Sequence, residues 1–292
     1  MSASLAERLP RPAGNGAVRV WLKSSAYTRR LLLGSERADP WVNAAQYLAY
    51  FSQAHGLLKP DVAVIEVGEL YDAWLARHGG LEGRLGNRRR PATALRRLLE
   101  IEEPKAVLAE VVEAVLSHLR GQVPLVLSMP SPRHWLRHAN RLAAQDDSPP
   151  EADAVEDAAM YLADLLRCVS TFAVGGLLLE EQADDRHFSA EDVARYRSVI
   201  NVVRHYRWSA ALRLPPGATL PTQAQADFDA VIGSAGSCRG AIPFGRDISA
   251  EFAAGTLPSP LGVGEFYFAT VDPAQQPEAV LDTLAQLRRT AT

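Results

Sequence analysis

The sequence has few cysteines, no long hydrophobic run and almost no excess of charge, and each of these absences excludes a class of protein. Cys168 and Cys238 have the spacing neither of a disulfide framework nor of a zinc-ligand pair. No apolar run approaches the ~18 residues that span a membrane. The formal net charge of -3 gives no field that would attract nucleic acid or an anionic membrane. We therefore expect neither partner.

The N-terminal residues 1–16 lack the apolar core of a secretory signal and carry an acidic residue early, so we expect a cytoplasmic protein. We predict one domain over residues 1–292, with a flexible segment at 1–16 and a flexible, polar and proline-containing loop at 145–153. The basic segment from Arg84 to Arg97 contains few aromatic residues, which argues against stacking on single-stranded nucleic acid.

Two nucleotide-binding motifs are also absent, the G-x-G-x-x-G that follows a strand and the G-x-x-x-x-G-K-[ST] loop. Short apolar runs instead alternate with helical patterns, which predicts a parallel sheet covered on both faces. One further short strand would complete a (β/α)8 TIM-type barrel, for which about 250 residues is the usual size. An open doubly wound sheet is the alternative. The seven predicted strands lie at 17–22, 61–67, 123–129, 172–181, 207–214, 227–233 and 264–271.

In the stretch AVIEVGELYDAWLARHGG, an apolar strand continues into a helix, and Glu66 and Glu69 flank Gly68 at the junction. In a parallel barrel the C-terminal ends of the strands form the active-site face, so both carboxylates are candidate site residues. Glu66 could instead be a structural residue paired with Arg19 or Lys23. Glu69 could instead be a first-turn acid favoured by the helix dipole.

Other polar residues follow the predicted strands in the same way. A mixture of acids, bases and one histidine is typical of a pocket for an anionic organic molecule, although a solvated barrel rim would also be polar. His134 could be a surface histidine at a helix start, and Cys238 has no assigned base that would make it a nucleophile. The further candidates are Lys23, Ser24, Ser25, Tyr27, Arg29, Arg30, Ser128, Ser131, Arg133, His134, Trp135, Glu180, Glu181, Arg213, Ser234, Ser237, Cys238 and Arg239.

The order of these motifs resembles the uroporphyrinogen decarboxylase family, whose barrel is shared with cobalamin-independent methionine synthase. VRVWLKSSAYTRRL is similar to the family's N-terminal strand, Trp and arginine-rich loop. AVIEVGELYDAWLARHGG is similar to the strand that ends in the catalytic aspartate, which Glu69 matches best. VPLVLSMPSPRHWLRH, AMYLADLLRCVSTFAVGGLLLEE and VDPAQQPEAVLDTLAQLRR resemble later segments in the same order. The resemblance implies a decarboxylase-like barrel and a homodimer.

The sequence departs from the family at the residues that define its chemistry. The N-terminal loop is KSSAYT, with Arg29 and Arg30 only further along, whereas a four-carboxylate porphyrinogen would need several guanidinium groups. The methionine synthase branch holds zinc through a His-x-Cys pair and a later Cys, and this sequence has no His-x-Cys. Catalytic zinc usually takes three protein ligands, so we expect no metal and no organic cofactor, with zinc disfavoured.

The leading hypothesis is a divergent barrel enzyme that cleaves a small carboxylated substrate by lyase-type chemistry. Glu69 would be the acid or base, and Tyr27 or His134 would donate a proton. Arg30 and Arg133 would orient a substrate carboxylate. The alternatives are a methyl or one-carbon transferase of the methionine synthase-like branch and a catalytically silent barrel with a binding or assembly role. Further substrate-binding candidates are Glu66, Glu180 and Arg239.

Overall fold

The computed structural model of the chain describes residues 4–11, 16–79, 92–143, 150–185, 188–238 and 242–290. Its eight strands form one sheet in which every neighbouring pair is parallel, in the order β1-β8-β7-β6-β5-β4-β3-β2. Helices alternate with the strands, so the predicted (β/α)8 TIM-type barrel is confirmed. The strands are β1 (Val20–Lys23), β2 (Ala63–Glu66), β3 (Leu125–Pro130), β4 (Gly176–Glu180), β5 (Ser209–Arg213), β6 (Ala230–Gly233), β7 (Phe244–Asp247) and β8 (Glu265–Thr270).

Most helices of the described residues pack their apolar faces against the outside of the sheet. Within this part of the chain, none is long and apolar enough to cross a membrane. The helices are α1 (Leu5–Arg8), α2 (Ser25–Leu33), α3 (Ala44–Leu58), α4 (Val67–Arg77), α5 (Thr93–Leu99), α6 (Glu102–Leu119), α7 (Pro132–Leu142), α8 (Ala152–Leu166), α9 (Ala190–Val193), α10 (Arg197–His205), α11 (Thr222–Gln225), α12 (Ser249–Ala254) and α13 (Pro277–Thr290).

The strand that the sequence does not predict is β7. Between 190 and 205 the chain forms two helices, α9 and α10, which are separated by a 3-10 turn. A capping box opens α9: the Ser189 hydroxyl accepts a hydrogen bond from the Glu191 N–H, and the Asp192 carboxylate accepts one from the Ser189 N–H.

Apolar side chains fill the barrel interior toward the N-terminal ends of the strands, which we call the lower part of the barrel. Among them Trp21 stacks on Phe266, with 6.0 Å between the ring centroids. Leu5 and Leu9, in and just after α1, are buried in the same cluster. Part of the segment predicted to be flexible, 1–16, thus forms a helix whose neighbouring apolar side chains pack on the barrel. Most of the predicted loop at 145–153 lies outside the described residues, and α8 already begins at Ala152.

The barrel is not closed by hydrogen bonds everywhere. β1 and β2 are the two ends of the sheet, and the described residues contain no backbone ladder between them. At the lower end of this seam the Asp61 carboxylate accepts hydrogen bonds from the backbone N–H groups of Arg19 and Val20, both at 2.9 Å. At the upper end Lys23 Nζ lies 3.1 Å from Glu66 Oε2. Side chains therefore close the seam between β1 and β2.

Candidate active site

Five strands end in a charged residue at the C-terminal face of the barrel. Three of these charged residues lie two positions after a residue of the apolar cluster in the barrel interior. The three apolar residues are Trp21, Leu178 and Ala211. Because side chains alternate between the two faces of a strand, the charged residues that follow at this spacing also point inward. The charges therefore form the top layer of the barrel interior. They are Lys23 (β1), Glu66 (β2), Glu180 (β4), Arg213 (β5) and Asp247 (β7).

These five side chains form a continuous chain of ion pairs, which we call the mouth network. Glu180 is its centre: Lys23 Nζ lies 2.5 Å from Glu180 Oε1, and Arg213 donates to Glu180 Oε2 at 3.1 Å. Lys23 continues to Glu66, and Arg213 donates to Asp247 Oδ2 at 2.8 Å. The Ser128 hydroxyl of β3 also donates to Glu180. Six strands thus contribute to one polar cluster.

Hydrogen bonds involving α12 and β8 hold Asp247, which is the last residue of the mouth network along the chain. The Ser249 hydroxyl donates to Asp247 Oδ1 at 2.5 Å and accepts a hydrogen bond from the Thr270 N–H at 2.9 Å. The Arg213 guanidinium lies over the Phe268 ring, 4.7 Å from its centroid. The orientation of Arg213 is therefore set by both its carboxylate partners and an aromatic face.

Glu69 lies beside the mouth network, one helical turn after Glu66. The Ser25 hydroxyl donates to Glu69 Oε2 at 2.6 Å, and Arg29 donates to Glu69 Oε1 at 2.7 Å. Ser25 and Arg29 can reach the same carboxyl group because residues four apart share one face of α2. Glu69 is therefore held by α2, the helix that follows β1, although its own position follows β2.

The electrostatic surroundings of Lys23 and Glu180 keep both of them charged. Burial alone would raise the pKa of Glu180, but the charges of Lys23 and Arg213 outweigh it and lower the pKa to about 2. Burial alone would lower the pKa of Lys23, but the carboxylates of Glu180 and Glu66 outweigh it and raise the pKa above its ordinary value. Lys23 is therefore an ammonium ion at neutral pH, which suits anion binding and not Schiff-base formation.

The pKa of Glu69 is shifted in the opposite direction to that of Glu180. Burial raises the pKa of Glu69 to about 8, and the neighbouring Glu66 carboxylate adds to the rise, while Arg29 and Ser25 oppose it. Glu69 is accordingly protonated at neutral pH, whereas Glu180 is ionised. Neighbouring carboxyl groups whose pKa values are driven apart are a common arrangement of a catalytic acid and a charge stabiliser.

A surface groove of about 510 Å³ gives access to Glu69 from outside the barrel. Arg29 and Glu69 line this groove, and Ala73 and Ala76 of α4 contribute apolar surface to it. A volume of this size is typical of small-molecule sites. Glu69 can therefore be reached by a ligand without passing through the buried part of the mouth network.

Two residues that the sequence assigns to the site are engaged elsewhere. Arg133 is buried, and it donates to Asp185 Oδ2 at 2.7 Å and to Asp192 Oδ2 at 2.8 Å. His134 donates from Nδ1 to the backbone carbonyl of Glu180 at 3.2 Å, because a carbonyl can only accept. Burial lowers the pKa of His134, so its ring is neutral at neutral pH and its Nε2 is an acceptor.

Glu181 points away from the mouth network, as expected for the residue that follows Glu180. It accepts hydrogen bonds from the Tyr196 hydroxyl at 2.5 Å and from the Ser131 hydroxyl at 2.8 Å. Burial raises the pKa of Glu181 to about 7, against the effect of these two donors. This side-chain cluster fastens the segment after β4 to the helices and does not face the barrel interior.

The remaining predicted residues do not join the mouth network. Tyr27 is buried in an apolar cluster with Val20 and Leu22, on the outer side of β1. Arg30 is exposed and donates to the backbone carbonyl of Pro273 at 2.6 Å. Arg239 lies outside the described residues. The structure thus places Glu66, Glu69 and Glu180 in contact with five other candidates, whereas Tyr27, Arg30, Arg133 and His134 make contacts elsewhere. The five are Lys23, Ser25, Arg29, Ser128 and Arg213.

Asp247 and Ser249 are not among the residues that the sequence predicts for the site, and Arg213 is predicted only by its position after a strand. Lys23 is also predicted as a possible partner of Glu66, with which it forms an ion pair. Lys23 and Arg213 share one sequence signal, a charged residue that directly follows an apolar strand, as in WLK and ALR. Among the described residues, no group of three or more His, Cys, Asp and Glu side chains could hold a metal ion.

Comparison with known proteins adds little to this geometry. No protein-family model and no curated protein sequence matches the chain. Among solved structures, the chain is similar to 2,3-dimethylmalate lyase, a PEP mutase/isocitrate lyase superfamily member, with a TM-score of 0.36 and 14% identity over 94% of this chain and 75% of that one. It is also similar to alpha-L-fucosidase from Vibrio sp. strain EJY3, with a TM-score of 0.44 and 11% identity over 92% of this chain and 53% of that one. Neither similarity bears on the chemistry of this chain.

Proposed function

We propose that the chain is an enzyme that acts at the C-terminal face of its barrel on a small carboxylated molecule, by lyase-type cleavage. The observation that carries this proposal is the mouth network. Removing an ion from water costs several kcal/mol, and apolar side chains of similar volume often give equal or greater stability. Five charges in the top layer of a barrel are therefore better explained by binding and chemistry than by folding.

The charges suggest a division of roles for decarboxylation. Lys23 and Arg213 are permanent cations that would hold a substrate carboxylate or the negative charge that develops from it. Cleavage of the carbon–carbon bond releases CO2 and leaves the electron pair on the substrate carbon. Glu69, protonated at neutral pH, would transfer its proton to that carbon.

The resemblance of the motif order to the uroporphyrinogen decarboxylase family agrees with this reaction class. Glu69 takes the place of the family's catalytic aspartate in that resemblance. Arg133, which is expected from the sequence to orient a substrate carboxylate, is replaced in the proposal by Lys23 and Arg213, because Arg133 pairs with Asp185 and Asp192 outside the mouth network.

The proposal is tested by assaying CO2 release from a panel of small mono-, di- and tricarboxylic acids. For any substrate found, Arg213→Gln should reduce kcat/KM by about a hundredfold, since it removes a charge that acts on the reacting carboxylate. Arg204→Gln is the matched control, because Arg204 is exposed on α10 and pairs with the 226–227 segment, away from the mouth network. Equal activity in both variants would refute the role of Arg213 in holding the substrate carboxylate. In a separate test, stoichiometric zinc in the purified protein would favour the transferase alternative.

A further inference from the structure

The seam between β1 and β2 contains a cavity of about 50 Å³ beneath the Lys23–Glu66 ion pair. Ala63 and Val64 of β2 line one side of it, and Tyr47 and Tyr50 of α3 cover it from outside. Ser25 and Glu66 line it as well, so the cavity reaches the candidate active site. A water molecule requires only about 10–15 Å³ of such space, so the seam has room for more than one.

One polar group that lines this cavity is buried without a protein partner in the described part of the chain: His55 Nδ1. The Tyr47 ring is only 5% exposed and lines the same cavity. Burial raises the pKa of Tyr47 well above its ordinary value, and the charges of Glu69 and Glu66 contribute to the rise. Because buried polar groups are almost always hydrogen-bonded, His55 Nδ1 requires internal water as a partner.

We propose that the β1–β2 seam holds an internal water cluster that returns protons to Glu69 through the Ser25 hydroxyl. Ser25 lines the cavity and already donates to Glu69 Oε2 at 2.6 Å, and its oxygen can accept a second hydrogen bond from a cavity water. The opposite end of the cavity is at His55, which is partly exposed on α3. The seam thus connects solvent to the face of Glu69 that is bonded to Ser25.

The proton balance requires such a route only if Glu69 acts as the acid, so this inference rests on the proposed function. After Glu69 has given its proton to the substrate carbon, a bound product still blocks the groove side. A cavity water then gives a proton to Ser25 Oγ while the Ser25 hydroxyl gives its own proton to the Glu69 carboxylate. The hydroxide left in the cavity takes a proton from solvent. Ser25 therefore acts through Glu69 and does not contact the substrate.

The first test is a high-resolution crystal structure of the whole chain and of two variants. We expect ordered water within hydrogen-bond distance of Ser25 Oγ and of His55 Nδ1. Ala54→Leu should displace this water, because Ala54 lines the cavity. Ala49→Leu should not, because Ala49 is exposed on the same helix. A dry seam in the wild-type protein would overturn the proposal whether or not the protein is a lyase.

The second test uses a substrate identified by the carboxylic acid panel. Ser25→Ala and Ala54→Leu should each lower kcat by about tenfold or more with little change in KM, since general acid catalysis depends on the reprotonated acid. Ser25→Thr, which keeps the hydroxyl, and added formic acid with Ser25→Ala should restore turnover. Unchanged kcat in both variants would refute the relay. The proposed function would survive that result if Glu69→Gln were still inactive.

Discussion

At the scale of single residues, the central feature is a pair of carboxyl groups in opposite protonation states. Glu180 touches two cations and stays ionised, whereas Glu69 is buried beside another carboxylate and retains its proton to about pH 8. The difference follows from their neighbours, since both are glutamates near the C-terminal end of a strand. The chemistry proposed for the site depends on this difference.

A prediction about stability follows from the raised pKa of Glu69. Between its ordinary value of 4.5 and about 8, the folded protein holds a proton on Glu69 that the unfolded chain has lost. The free energy of unfolding should therefore fall as pH rises through this range. Glu69→Gln stays neutral, so its stability relative to wild type should increase from pH 5 to pH 8. Urea denaturation of both proteins at several pH values measures this, and a constant difference between them would contradict it.

The comparison of wild type with Glu69→Gln separates the contribution of Glu69 to the pH dependence of stability from the contributions of the other buried acids. Glu181 has a pKa raised to about 7 and contributes a change of the same sign, but it is present in both proteins and cancels. Glu180 has a pKa lowered to about 2, so the stability it contributes is lost only below its ordinary pKa, outside the range examined.

The sequence predicts the carboxylates near the barrel mouth and names Lys23 as a possible partner of Glu66, but it does not distinguish Arg213 from the other arginines that follow strands. Glu66, Glu69 and Glu180 were identified because each follows an apolar strand. Arg133 follows a strand equally well, yet its side chain is directed to Asp185. One strand position decides whether a side chain faces the barrel or the helices, and the sequence does not give the strand ends to that precision.

At the scale of elements, the helix α4 begins directly after β2 without a loop, and its first turn carries Glu69. Gly68 makes this close approach possible, because a Cβ atom there would lie 3.1 Å from Pro130 Cδ and 3.3 Å from Pro130 Cγ. The N-terminal turn of α4 is thus packed tightly on the end of β3. The position of Glu69 relative to Ser25 depends on that contact.

Replacing two helical glycines by alanine should separate this packing effect from helix propensity. Gly56→Ala in α3 adds a Cβ with nothing within 4 Å, so it should stabilise the protein by about 0.5–1 kcal/mol. Gly68→Ala should give no such gain and should lower turnover, because α4 must move away from Pro130. Denaturation and kinetics on both variants measure this. Equal stabilisation with full activity would show that the contact does not position Glu69.

The one strand that the sequence did not reveal is β7, and its composition explains why. It has four residues, FGRD, of which one is a glycine and two are charged, so no apolar run marks it. Its strand character comes from pairing with β6 and β8 in the closed sheet. Asp247, at its end, was missed for the same reason.

At the scale of the whole molecule, the barrel has an apolar lower interior and a charged upper layer. α1 closes the lower end through Leu5 and Leu9, and the backbone N–H of Ala6 donates to the Ser209 hydroxyl at 2.9 Å. A short amphipathic segment near the N-terminus has no sequence signal that distinguishes it from a flexible tail, because its partner is the barrel interior.

The role of α1 in the core gives a further prediction. Leu5 is fully buried, so Leu5→Ala should lower the free energy of unfolding by about 2–5 kcal/mol. Leu281→Ala is the control, because Leu281 is 41% exposed on α13 and should change stability by less than about 0.5 kcal/mol. Urea denaturation compares the two. A negligible effect of Leu5→Ala would mean that the N-terminal helix contributes little to the barrel.

The central claim is that Glu69 supplies the proton for cleavage of a small carboxylated substrate held at the mouth network. Its most direct test compares the turnover of Glu69→Gln and Glu278→Gln on a substrate from the carboxylic acid panel. Glu278 is also a first-turn glutamate, but it is exposed at the start of α13. We predict that Glu69→Gln lowers kcat by about a hundredfold or more, while Glu278→Gln retains wild-type turnover. Undiminished turnover in Glu69→Gln would contradict the account.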